Sequence, residues 1–134
     1  MNLEEAKAKT LTAQAEASSY VPEDFILTST TDDVSSVLFA CEGGYYWPGQ
    51  TTMTLEGGLD TDSVLSSIKA AWEDKPDWTV KEDTIEGGER RLDLTDKDGT
   101  RLFVTFLDGG ETFDLASFSA CFEFDGEPEY GVRY

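Results

Sequence analysis

The sequence predicts an α+β fold: a largely antiparallel β-sheet with an amphipathic helix (residues 61–73) packed on one face, and a second helix over residues 2–19. Three observations lead there. Strand-like segments come in groups and do not alternate with helices. Gly-Gly or Asp-Gly turns separate them. Residues 61–73 repeat apolar side chains at helical spacing. With 134 residues, one domain spanning 1–134 is expected, with the N-terminal helix reaching residue 20 and an irregular tail over 123–134.

Residues 2–19 are rich in Ala, Glu, Lys and Gln, all good helix formers. Leu3, Ala6, Thr10, Ala13 and Ala17 form a stripe of small residues, and Glu4 and Glu5 suit the positive end of the helix dipole. Pro22 stops the helix, and Phe25–Thr28 reads as a strand. Thr31-Asp32-Asp33 reads as a turn. Val34–Cys41 then follows as a strand, whose run Val37-Leu38-Phe39-Ala40 is apolar enough for the middle of a sheet. Gly43-Gly44 turns the chain into Tyr45-Tyr46-Trp47. Beyond Pro48-Gly49, Gln50–Leu55 alternates with a period of two.

Asp60 or Thr61 caps the next helix, with Asp62 in its first turn. Val64, Leu65, Ile68, Ala71 and Trp72 share one face of it, and Pro76 ends it. Four strands remain, 78–85, 90–94, 101–107 and 112–122. They are divided by Gly87-Gly88, Asp96-Lys97-Asp98-Gly99 and Asp108-Gly109-Gly110. Leu92/Leu94, Leu102/Val104/Phe106 (or Phe103) and Phe113/Leu115 alternate, which gives the sheet one dry and one wet face.

Composition excludes several functions. There are 28 Asp and Glu against 10 Lys and Arg, for a net charge of −18, and no His. Phosphates of nucleic acid or of an anionic membrane would be repelled. Without His there is no Ser-His-Asp or Cys-His nucleophile and no His-bearing zinc site, and no cofactor or metal is expected. No apolar run is long enough to cross a bilayer.

Cys41 and Cys121 lie 80 positions apart, so neither belongs to a CxxC pair. A reactive thiol, two buried free thiols and a structural disulfide are the readings open to them. The disulfide is favoured, because both residues sit in strand-like contexts and no His could activate a thiolate. A disulfide persists in an oxidising compartment, so an extracytoplasmic protein is expected. The start, Met1-Asn2-Leu3-Glu4-Glu5, is acidic and has no leader-like apolar region, so the chain reads either as cytosolic or as a mature domain without its leader, the second being favoured.

Among candidate sites, Tyr45, Tyr46 and Trp47 stand out as a possible binding surface. Alternation puts Tyr45 and Trp47 on one face and Tyr46 on the other, so one face carries rings outside the core unless the sheet is covered twice. The plainer alternative packs Trp47 with Trp72 and Trp78. Asp93, Asp96, Asp98 and Gly99 gather carboxylates as a calcium loop would. Lys97 interrupts them, though, no Glu closes the loop, and Asp-Gly is a hairpin signal in its own right. Paired acids of a carboxylate-dependent hydrolase acting on cell-wall sugars or peptides are a further alternative. No Gly-Gly pair begins a phosphate-binding loop.

The segment Cys41-Glu42-Gly43-Gly44-Tyr45-Tyr46-Trp47-Pro48-Gly49, the helix ending in Trp72, Trp78-Thr79-Val80, and Ser119-Ala120-Cys121-Phe122 resemble small secreted lipoprotein domains of actinobacteria, a family of unknown function. The resemblance spans roughly residues 3–125. It implies an extracytoplasmic location, secreted or held by a lipid anchor upstream of this chain, and a Cys41–Cys121 disulfide. It brings no catalytic residues. The expected function is a non-enzymatic cell-envelope binding domain, with an envelope protein, peptide or glycan as partner. Stacking on Tyr45, Tyr46 and Trp47 would provide the contact.

Overall fold

The computed structural model describes residues 1–134. Helix α1 (Leu3–Ser18) begins in a reciprocal cap. The Glu5 N–H donates to Asn2 Oδ1 at 2.9 Å, and the Asn2 N–H donates to Glu5 Oε1 at 3.2 Å. Strand β1 (Ile26–Asp32) follows a short turn of 3₁₀ helix at Glu23–Phe25. Then come β2 (Phe39–Cys41), β3 (Gly44–Tyr46), β4 (Pro48–Leu55) and helix α2 (Thr61–Glu73). The chain continues through β5 (Trp78–Thr84), β6 (Arg90–Asp96), β7 (Arg101–Leu107) and β8 (Thr112–Phe118).

Six strands form one antiparallel sheet in the order β1-β4-β8-β7-β6-β5, while β2 and β3 make a separate hairpin. Both helices lie on the same side of the sheet. α1 packs over β4 and β8, and α2 over β5, β6 and β7. The alternating apolar residues point at them: Met53 and Leu55, Leu92 and Leu94, Leu102 and Val104, Phe113 and Leu115 are all buried. α2 matches its predicted bounds and contributes Val64, Leu65, Ile68 and Trp72 to this core. The Ser63 N–H donates to Asp60 Oδ1 at 3.1 Å, which identifies Asp60 as the cap. The α+β class with an antiparallel sheet therefore holds.

α1 buries small and polar residues. Gln14 Nε2 donates to Thr51 Oγ1 at 2.8 Å, and Ser117 Oγ donates to Gln14 Oε1 at 2.6 Å. These bonds satisfy a glutamine that is only 1% exposed and fix the helix against β4 and β8.

Three expectations need correcting, the first being the last strand, read as 112–122, which ends at Phe118. Val34–Cys41 is not a central strand. Only Phe39–Cys41 is extended and paired, outside the main sheet, and Val37 and Phe39 are exposed. The backbone at Ser35 pairs instead with Tyr134, N–H to C=O in both directions at 2.8 and 2.7 Å. These residues therefore anchor the C-terminus. Thr31-Asp32 is likewise not a turn, because β1 continues to Asp32 opposite Gln50.

Candidate binding surface

The hairpin turns at Glu42-Gly43, and the main chain passes so close to Phe122 that a Cβ on Gly44 would collide with the Phe122 carbonyl. That approach lets Tyr45 and Phe122 exchange backbone bonds of 3.0 and 2.8 Å. A disulfide between Cys41 and Cys121 closes the same junction, with Cα atoms 6.2 Å apart.

Alternation along β3 then sends its rings to opposite sides. Trp47 is 0% exposed and packs with Ala6 and Phe122 in a second, smaller core. Its backbone N–H donates to Ser119 Oγ at 2.8 Å and its Nε1 donates to the Tyr134 carbonyl at 3.1 Å. Lys7 Nζ lies 5.4 Å from its ring centre. Trp72 and Trp78 belong to the main core, so the three tryptophans do not meet. Tyr45 lies half-buried against Phe124 beside the Trp47 core. The rings of this segment thus divide, with Trp47 inside and Tyr46 half-buried on the opposite face.

Tyr46 joins an aromatic patch. Its ring stacks on Phe39 at 5.7 Å and meets the edge of Phe118 at 5.6 Å, and Phe118 lies 6.3 Å from Phe103. Phe118 and Phe103 project from β8 and β7 on the face that carries no helix, since their neighbours Ser117, Leu102 and Val104 are buried beneath the helices. Two guanidinium groups flank Phe103, Arg91 at 4.9 Å and Arg101 at 4.6 Å from its ring centre. A polar groove of about 560 Å³ adjoins Arg101, lined by Thr79, Lys81, Asp93 and Thr95 among others.

The acidic candidates are engaged in structural roles. Asp96 Oδ1 accepts the N–H groups of Asp98 and Thr100 at 2.9 Å, and Oδ2 pairs with Lys9 at 2.6 Å. This is turn chemistry at the β6–β7 hairpin. Asp93 is held bidentately by Arg101 at 2.9 and 2.6 Å. No group of three or more Asp, Glu or Cys side chains gathers to hold a cation. The hydrogen bond from Arg101 pulls the Asp93 pKa down, that from Arg90 lowers Glu82, and that from Lys9 lowers Asp98. A general acid requires the opposite displacement. Burial opposes protonation of Lys9, but its bonds to Asp96 and Asp98 prevail and raise its pKa.

Reading the sequence missed Phe39 as an exposed residue, and Phe103 and Phe118 as half-buried ones on the uncovered face. A signal for Phe118 was present: it lies out of phase with Phe113 and Leu115, and so belongs on the opposite face. Phe39 gave none, because an apolar run reads alike in a central strand and in an outlying hairpin.

Fold and surface together describe a two-layer α+β sandwich, open on one side of its sheet and tied by one disulfide. A DUF4853 family protein from Actinomyces odontolyticus has a similar structure, with a TM-score of 0.62. The similarity covers 96% of this chain and 73% of that one at 17% identity, which establishes likeness of fold. No protein-family model and no curated protein matches the sequence.

Proposed function

We propose that the chain is an extracytoplasmic binding domain of the cell envelope, secreted or lipid-anchored, that holds its partner on the aromatic patch of the uncovered sheet face. The observation carrying this reading is the clustering of Phe39, Tyr46, Phe118 and Phe103 outside both cores. Apolar rings on a surface favour a site of association. Phe39, Tyr46 and Phe103 each meet Phe118 edge to face and Phe39 stacks on Tyr46, so the four rings make one continuous patch, which suits side chains of a protein or peptide better than separately spaced sugar rings. The disulfide supports an oxidising compartment, and no helix is long and apolar enough to cross a membrane.

The test is capture of partners from envelope extract by the immobilised domain, compared with Phe39→Ser/Tyr46→Ser. A specific envelope protein or peptide retained by the parent and lost by the variant, at equal melting temperature, is the expected result. Equal retention by both overturns the assignment of the patch.

A further inference from the structure

The sheet ends in two edges that differ in character. β5 carries Lys81, Glu82 and Asp83, charges that discourage another strand from pairing. β1 reads Ile-Leu-Thr-Ser-Thr-Thr-Asp, with no charge before Asp32, and every residue after Ile26 is exposed. Its free backbone groups can be assigned. The Leu55 N–H donates to Glu111 on the β8 side, and the Glu56 N–H donates to Phe25 on the β1 side. Along β4, odd residues therefore face β8 and even residues face β1. Thr28, Thr30 and Asp32 pair with Thr54, Thr52 and Gln50. Ser29 and Thr31 turn their N–H and C=O groups outward, away from the sheet.

Behind this edge α1 stops short of covering β1 and leaves a trough of about 360 Å³, lined by Gln14, Ser18, Val21, Ser29, Thr31 and Met53 among others. Ser18 is only 9% exposed, and its hydroxyl has no hydrogen-bond partner. The ends of the edge are acidic, with Glu23 and Asp24 before it and Asp32 and Asp33 at its close, all exposed. A second copy of the chain, pairing in either direction, would set these acidic ends against each other and bring together two net charges of −18.

We infer that β1 and the trough behind it form a strand-addition site for an extended peptide with an uncharged, β-branched centre and Lys or Arg at both ends. The central backbone bonds to Ser29 and Thr31, alternate side chains enter the trough, and the basic ends meet Glu23, Asp24, Asp32 and Asp33. The site shares no residue with the aromatic patch, so either can fail alone.

The test is an NMR and hydrogen-exchange titration of the intact chain with a synthetic peptide of alternating Thr and Val bearing two Lys at each end. Ser29 and Thr31 amides should gain protection while Glu82, whose N–H turns outward on the other edge, does not. Ser29→Pro, which removes an outward N–H and leaves the β4 ladder bonds intact, should weaken binding about tenfold or more. If that variant does not fold, Ser29→Lys puts a like charge against the basic peptide and should weaken it too. Equal binding of a peptide with Glu ends, or no added protection at saturation, overturns the inference. So does a concentration-dependent dimer that already protects these amides, because the occupant is then a second copy.

Discussion

Cys41 and Cys121 are bonded across 80 positions of chain, and the bond holds the β2–β3 hairpin against the segment that follows β8. The hairpin pairs with no strand of the main sheet, so the disulfide and the Tyr45–Phe122 bridge attach it together with its ring contacts on Phe118 and Phe124. Closing so long a loop restricts the unfolded chain by about 4–5 kcal/mol in the chain-entropy view. Cys41→Ser/Cys121→Ser should lower stability by several kcal/mol in urea titrations and loosen the aromatic patch. Mass spectrometry of non-reduced protein should show a chain lighter by two hydrogen atoms than its reduced form.

Lys9 ties α1 to the β6–β7 hairpin through Asp96, whose side chain is only 1% exposed. Removing the cation leaves a buried carboxylate with two backbone donors alone. Lys9→Met should cost about 2–3 kcal/mol, less than a fully buried pair because Lys9 is itself partly exposed. Adding Asp96→Asn removes the orphaned charge yet keeps an oxygen for the Asp98 and Thr100 amides. The double variant should thus be more stable than Lys9→Met in a thermal melt. A double variant no more stable than the single one would deny that the cost comes from the isolated carboxylate.

These outcomes bear on how far the sequence could be read. α2 was legible because its cap, its apolar spacing and Pro76 are local signals and agree with one another. The hairpins after it were legible for the same reason, a glycine turn joining each pair of strands, but no local signal marked the end of β8 at Phe118. The Val34–Cys41 error arose because distant partners decide that segment: Tyr134 takes the backbone of Ser35, and Cys121 takes Cys41. Alternation told Tyr46 from Trp47. It did not tell which side the first turns of α1 would cover, and Ala6 there is what seals Trp47.

Trp47 and Tyr46 are adjacent, and substitutions at them should behave oppositely. Trp47→Ala opens a cavity in the smaller core and removes one of the two donors to the Tyr134 carbonyl, leaving the Ser35 N–H, at a cost of about 3–5 kcal/mol. Trp47→Phe should recover much of this. Tyr46→Ser removes a half-buried ring and should change stability by about 1 kcal/mol or less. Urea titrations that rank Tyr46→Ser as the more damaging would reverse this placement of the two rings.

The ion pair of Asp93 with Arg101 gives stability a defined pH dependence. The Asp93 side chain is 13% exposed, and its pKa in the folded chain lies below the ordinary 3.8. A depressed carboxylate binds its proton more weakly when folded, so the unfolded chain takes up protons first as pH falls. The contribution is therefore complete above the unfolded value and disappears as pH drops through the lower, folded one. Acid also relieves repulsion in a chain of net charge −18, which complicates the parent's melting curve alone. The difference between the parent and Asp93→Asn separates the two effects. It should amount to about 1–2 kcal/mol at pH 7, discounted for the exposure of Arg101, and should hold steady down to about pH 5. Below about pH 4 it should shrink steadily as Asp93 protonates. A difference that stays constant into strong acid would mean that the bidentate bond to Arg101 adds nothing to the fold.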